Sequence, residues 1–274
     1  MTNEPIVSVI IPAFRADAVI GRAIRSVQSC GLPAEAVEII VASDDGDDYA
    51  PALAAFTNVV CTPCRTAKSG PGAARNRALA IARGRFVALL DADDTWAPGY
   101  LSALLPLAER YGVAFSPTTI VKDDAEILRL PGAEVLGLED LARFGASFRP
   151  VARREAFGQF DERRAQDVMH AVELLAMAGG TCPVSAVAYE LRLTPGSVTR
   201  HPDFAARVET AYRGYIGEIR AGRTRVPAPM REAAVQVFEG KAALNRRFMA
   251  QAAVETFYEF VRDLDDATPL AAAS

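Results

Sequence analysis

One stretch constrains the chain more than any other: Gly84-Arg85-Phe86-Val87-Ala88-Leu89-Leu90-Asp91-Ala92-Asp93-Asp94-Thr95-Trp96. A glycine opens it, apolar residues fill it, and three carboxylates close it within four positions. A short apolar run between turn signals reads as a fully buried strand. Three carboxylates cannot all stay ionised in a buried place without a cation. In open α/β sheets, ligands bind just beyond the carboxyl ends of the strands. The stretch therefore reads as a strand delivering Asp91, Asp93 and Asp94 to a ligand site with a hard divalent metal. The alternative is a surface turn, where Asp clusters are also common.

The neighbouring segments fit the first reading. Ile6 to Ile11 is a β-branched apolar run ended by Pro12, and Val37 to Ala42 is a second. Between them Asp17 is a candidate N-cap for a helix carrying Val19, Ala23, Ile24 and Val27. A short strand is expected near Asn58 to Cys61, then a glycine-rich loop, Lys68 to Asn76, entering a helix that runs to about Arg83. Strands and helices alternating at this spacing predict βαβ crossovers and a mainly parallel sheet. Farther on, a helix is expected after Pro98, a strand or strand pair over 112–121, and loops with a short helix over 122–149. A helix over 166–178, a strand over 184–193 and a turn at Thr194 to Ser197 follow. From residue 203 the chain is rich in Ala, Glu and Arg without a strand signal. This divides it into a domain over 1–202 and a helical C-terminal extension over 203–274.

Half of the 274 residues are hydrophobic, enough for a sizeable core. The net charge of −4 carries no basic excess and argues against nucleic acid as a partner. No apolar run reaches membrane-spanning length, and Met1 to Pro5 lacks the pattern of a signal peptide. A soluble, cytoplasmic protein is the expectation. Cys61-Thr-Pro-Cys64 has no second pair at zinc spacing, so the four cysteines read as core or loop residues in a reducing compartment.

The loops after the first, second and fourth strands can open on one edge of the sheet. Asp44 or Asp45, after the second, suits a base N–H or a ribose hydroxyl. Gly70-Pro71-Gly72 leads into a helix start that offers free N–H groups to an anion, with Arg75 in its first turns. Neither GxGxxG nor GxxxxGK[ST] occurs, which lowers the odds of a nicotinamide enzyme or a P-loop ATPase.

Four motifs in order carry a resemblance: Val7 to Phe14, Ser43-Asp44-Asp45-Gly46, Gly72-Ala73-Ala74-Arg75-Asn76, and Leu89 to Trp96. Together they resemble the family 2 glycosyltransferases of GT-A fold, α/β proteins with a Rossmann-like, mainly parallel sheet flanked by helices. The likeness extends more loosely to Gln166-Asp167 and to Arg192 through Thr199. It implies inverting transfer of a sugar from a nucleotide-diphosphate sugar, UDP favoured, to a glycan or glycolipid hydroxyl in polysaccharide or glycoconjugate synthesis. By the same resemblance Pro12, Phe14 and Asp44 or Asp45 hold the nucleoside, and Arg75 contacts the nucleotide. The D-x-D residues Asp91, Ala92 and Asp93 hold ribose and a Mg2+ or Mn2+ on the diphosphate, Asp93 being the metal ligand. Asp167 is the base, although Gln166 stands where the family has Glu. Arg192 and Ser197 fold over the diphosphate.

Trp96 is expected as a wall on the acceptor side, and His201 is a weaker candidate for metal or phosphate. Arg153, Arg154, Arg163 and Arg164 flank the acceptor side, where an anionic acceptor or a lipid headgroup competes with plain solvation. The C-terminal helices suit a homo-oligomer contact or a peripheral contact with the inner face of a membrane. They lack the strongly basic amphipathic face that would argue for lipid. Two other readings stand beside the enzyme: a non-catalytic nucleotide-binding scaffold and a nucleotidyltransferase.

Overall fold

The structure, a computed structural model, describes residues 4–63, 68–130, 133–144, 148–193, 204–250 and 256–266. The chain opens with β1 (Val7–Ala13), α1 (Ile20–Gln28), β2 (Val37–Ser43), α2 (Ala50–Leu53), β3 (Val59–Thr62), α3 (Pro71–Leu79) and β4 (Phe86–Leu89). It continues through β5 (Thr95–Trp96), α4 (Tyr100–Tyr111), β6 (Val113–Ala114), β7 (Thr118–Lys122), β8 (Ala125–Leu130), β9 (Val135–Gly137) and α5 (Leu138–Arg143). Then come β10 (Val151–Arg153), α6 (Arg154–Phe157), α7 (Gln166–Met177), β11 (Thr181–Pro183) and β12 (Tyr189–Arg192). Three helices close the described chain: α8 (Phe204–Arg220), α9 (Arg231–Met249) and α10 (Phe257–Asp266).

The main sheet has the order β3-β2-β1-β4-β10-β6. β1 runs parallel to β2 on one side and to β4 on the other, and β10 joins β4 antiparallel. Helices cover both faces, so β1 and β2 are apolar nearly throughout. Alternate residues serve opposite cores. Val9 and Ile11 pack with Ile24 and Val27 of α1 and Leu101 and Leu104 of α4. Ile10 faces the other core, with Ala74 and Ala78 of α3, Val172 of α7, Tyr215 of α8 and Phe238 of α9. The C-terminal helices thus continue the core of the sheet. A second sheet, β5-β12-β7-β8, and a β9–β11 pair lie beside it.

Several expectations are corrected. β1 runs through Pro12 to Ala13, because the missing proline N–H points to the side where pairing with β4 has already ended. Asp17 does not cap α1: Val19 is the cap residue, and the N–H groups of Val19 and Ile20 donate to the Ala16 carbonyl instead. α3 stops at Leu79 rather than Arg83. There the Arg83 N–H donates to Glu38 at 2.6 Å and the Gly84 N–H to Ser8 Oγ at 2.8 Å, turning the chain into β4. A Cβ on Gly84 would overlap the Ser8 backbone nitrogen, which is the reason for glycine. β6 and β7 fall in the segment read as a strand pair, whereas the segment read as loops holds β8, which returns along β7 as a hairpin, and β9. The hairpin turn places Asp123 and Asp124 at φ 50° and 60°, a left-handed pair made without glycine. The strand expected over 184–193 shortens to Tyr189–Arg192.

Candidate active site

The cleft follows from unequal strand pairing. β1 stays with β2 to Ala13↔Ser43 but leaves β4 after Ile10↔Leu89. The sheet therefore splits at the carboxyl ends, where β1 turns from one neighbour to the other. Asp44 and Asp45 stand on one lip and Asp91 to Asp94 on the other. Pro12 is half-buried at the split, and Phe14 is 45% exposed beside it.

On the β2 lip most donors are neutral, and Arg77 adds an ion pair to Asp44 at 3.7 Å. Asp44 Oδ1 accepts from Ser69 Oγ at 2.6 Å and Oδ2 from the Gly70 N–H at 2.9 Å, which pins the loop entering α3. Asp45 accepts from Tyr49 Oη at 2.6 Å, from Ser43 Oγ and the Asp47 N–H at 3.0 Å each, and from the Arg15 N–H. Burial pushes the Asp45 carboxyl up, but these donors outweigh it and hold it at about 2.

The β4 lip is held by guanidinium groups. Asp91 Oδ1 meets Arg75, and Oδ2 meets Arg149 at 2.5 Å. The second nitrogen of Arg149 reaches Asp167 Oδ2 at 2.9 Å, and Arg75 Nη1 donates to Gln166 Oε1 at 2.9 Å. Burial alone would raise Asp91; Arg149 and Arg75 hold it well below the usual carboxylate range. Asp93 lies between. No side chain among the described residues hydrogen-bonds its carboxylate, and burial together with the Asp91 charge raises its pKa. Asp94 turns inward, accepting from Tyr189 Oη at 2.7 Å and the Arg192 N–H at 2.8 Å, so it tethers β12 rather than facing the cleft.

The first turn of α7 is docked on α3. A Cβ on Gly72 would overlap the Asp161 carbonyl, so the glycine lets the segment before α7 approach. Asn76 locks that segment through both its amide atoms, donating to the Phe160 carbonyl at 2.9 Å and accepting the Phe160 N–H at 2.7 Å. The Arg75 guanidinium lies over the Phe160 ring, 5.3 Å from its centroid. Beneath, His170 stacks on Phe160 and bonds the Phe157 carbonyl at 2.7 Å through Nε2. Burial, then the Arg225 charge, pushes its pKa down to about 3.

The sequence profile described as glycosyl transferase family 2 matches residues 8–156, more than half of the chain. The chain belongs to that family. Among its relatives is the succinoglycan biosynthesis protein ExoO of Rhizobium meliloti, 30% identical over a 223-position alignment that covers 72% of this chain and 63% of ExoO. The chain thus spans less than two thirds of that relative. Among solved structures, S. aureus TarS in complex with UDP-GlcNAc aligns over 91% of this chain and 76% of that one, with TM-score 0.65 and 16% identity. A mannosyltransferase from Pyrobaculum calidifontis, in complex with GDP-Man and Mn2+, aligns over 97% of this chain and 81% of that one, with TM-score 0.54 and 16% identity. At such identities the likeness is one of fold, here the GT-A arrangement.

Of the expected residues, Pro12, Phe14, Asp44 and Asp45 lie at the carboxyl ends of β1 and β2, Ala92 and Asp93 follow β4, and Arg75, Asp91 and Asp167 are brought together by ion pairs to Asp91 and Arg149. Trp96 does not line the cleft: the ring is 2% exposed and stacks on Tyr100 at 4.5 Å, inside the core. The Arg192 side chain is taken up by Thr95 Oγ1 at 3.1 Å and Asp124 at 2.7 Å. Arg153 pairs with Glu109 at 2.5 Å, and Arg154 Nε donates to the Gly84 carbonyl at 3.0 Å, both at the far end of β4. Ser197, His201 and Cys64 lie outside the described residues. Arg149 and Tyr189 were missed. Arg149 sits in a stretch with no periodic pattern, and nothing local marks its charge as buried.

Proposed function

We propose that the chain is an inverting glycosyltransferase that moves a sugar from a nucleotide-diphosphate sugar to a hydroxyl acceptor by a single, metal-assisted displacement. One observation carries this reading. Two sets of carboxylates from distant segments, Asp91/Asp93 and Asp167, meet at the split end of a parallel sheet and are joined there by Arg149. Such a site has a donor side and a base side. An acceptor hydroxyl is a poor nucleophile until a carboxylate takes its proton, and Asp167 is the acid in position to do so. A single base with no carboxylate nucleophile gives inversion.

A divalent cation fits the residues present. Among the described residues no side chain pairs directly with the Asp93 carboxylate, which lies next to an ionised one and feels the Arg149 and Arg22 charges less than burial and the Asp91 charge. No group of three or more His, Cys, Asp or Glu able to hold a metal occurs among the described residues. An ion bound by one or two carboxylates and completed by substrate phosphates and water needs no such group. Asp93 would hold the ion, which would neutralise charge growing on the leaving diphosphate, while both oxygens of Asp91 are on guanidinium groups. Pro12, Phe14 and Asp44 or Asp45 line the nucleoside side. Arg75, buried and held by Asp91 and Gln166, serves the nucleotide side through Asp91.

UDP is the favoured nucleotide, as in the complex of the structural neighbour TarS. A glycan or glycolipid acceptor agrees with the polysaccharide role in ExoO's name. No helix among the described residues is long and apolar enough to cross a membrane. A cytoplasmic site of action, with peripheral contact at the membrane face, is part of the proposal, as is the division at residue 202.

A thermal-shift panel of UDP, GDP and dTDP, with and without Mn2+, on wild type and Asp93→Ala tests the donor half. The expected result is stabilisation by one nucleotide that requires metal and is lost in Asp93→Ala. A folded wild type that no nucleotide stabilises would overturn the reading.

A further inference from the structure

We propose that Arg149 is a positioning residue that fixes the base, Asp167, relative to the donor carboxylate, Asp91. The inference rests on the glycosyltransferase reading and gives a role to a residue that reading leaves without one.

Arg149 is delivered just ahead of β10, which pairs antiparallel with β4 and so brings the guanidinium to the β4 lip. Its side chain is only 7% exposed. A buried guanidinium is costly unless carboxylates answer it, and here two do, from two separate segments. One fork nitrogen holds Asp91 at 2.5 Å and another holds Asp167 at 2.9 Å. The Tyr189 ring, 5.6 Å from the guanidinium carbon, supports its plane. A planar fork fixes the spacing and orientation of both carboxylates, which a point charge does not.

The arrangement closes on itself. The other oxygen of Asp91 is on Arg75, and Arg75 holds Gln166, the chain neighbour of Asp167. Asp91, Arg75, Gln166, Asp167 and Arg149 therefore form a ring built from β4, α3, α7 and the segment before β10. Asp91 cannot shift without pulling on both residues of the first turn of α7. Base position is thereby tied to the donor side. A misplacement of about 1 Å can cost roughly 100-fold in rate.

Arg149→Lys keeps the charge and removes the fork. It is compared with wild type by three readouts: melting temperature, UDP affinity with Mn2+ by calorimetry, and steady-state sugar transfer. The expected outcome is a folded protein whose UDP affinity stays within about 3-fold while kcat falls roughly 100-fold. Combined with Asp167→Asn, Arg149→Lys should cost no further activity, because residues acting as a unit are not additive. If Arg149→Lys does not fold, Arg149→Gln takes its place and is judged by the same split. A kcat within about 3-fold of wild type would overturn the proposal, and so would parallel losses of UDP affinity and kcat, or full additivity with Asp167→Asn. A folded wild type that binds no nucleotide and transfers no sugar would overturn the glycosyltransferase reading and this proposal together. An active wild type matched by Arg149→Lys would overturn this proposal alone.

Discussion

The two lips of the cleft solve one problem by different means. On the β2 lip, Asp45 stays ionised because hydroxyls and backbone N–H groups converge on it, three of them from the same turn. On the β4 lip, Asp91 stays ionised because two guanidinium groups from distant segments enclose it. The first arrangement is local and electrically simple. The second is a buried charge network, in which removing one member strands the others. The β2 lip is thus a prepared surface, whereas the β4 lip is a linked machine whose parts depend on one another.

The largest effect should come from breaking the network. Asp91→Asn is expected to destabilise the ligand-free protein by about 3–5 kcal/mol, as for other broken buried ion pairs, measured by urea unfolding. Asp45→Asn keeps the two acceptances at one oxygen and loses the two at the other, one of them from a backbone N–H, and should cost only about 1–2 kcal/mol. Equal costs would abolish the contrast drawn between the lips. Next, Gly72→Ala should push the Asp161 carbonyl away and loosen the docking of α7 on α3. A loss of about 1–3 kcal/mol is expected, with a lower kcat and unchanged UDP affinity, in unfolding and kinetic assays.

The smaller effects concern pH. His170 is buried neutral with its pKa pushed down to about 3. The unfolded chain therefore binds a proton that the folded one refuses, between the ordinary histidine value near 6.5 and about 3. Stability from this group is full above that range and is lost as pH falls through it. A His170→Asn variant should show a flatter stability profile between pH 6.5 and 4 in denaturant titrations. Asp45 behaves differently: its pKa of about 2 lies below the ordinary 3.8. Its contribution is full above 3.8 and is lost only as pH falls toward 2, so Asp45→Asn should leave the profile above pH 5 unchanged.

The same contrast explains what could be read from the sequence. Asp44 and Asp45, Gly72 to Asn76 and Asp91 to Asp93 are local motifs at strand ends, and a strand end at a parallel sheet already says where such residues go. What stayed hidden depends on contacts between segments far apart in the chain. Arg149 lies 58 positions from Asp91, in a stretch without helix or strand periodicity. Asp94 and Trp96 follow the same strand as Asp91 but turn inward to Tyr189 and Tyr100, a choice made by β12 and α4. The β7–β8 turn escaped notice because two aspartates do the work usually given to Asn-Gly.

In the proposed mechanism, donor binding and proton removal sit on separate, linked carboxylates. This arrangement is tested most directly by titrating UDP with Mn2+ into wild type and Asp167→Asn, and measuring sugar transfer by both. UDP affinities within about 3-fold of each other are expected, with a transfer rate lower by roughly 1,000-fold in Asp167→Asn. Transfer at the wild-type rate, or loss of UDP binding together with transfer, would contradict it.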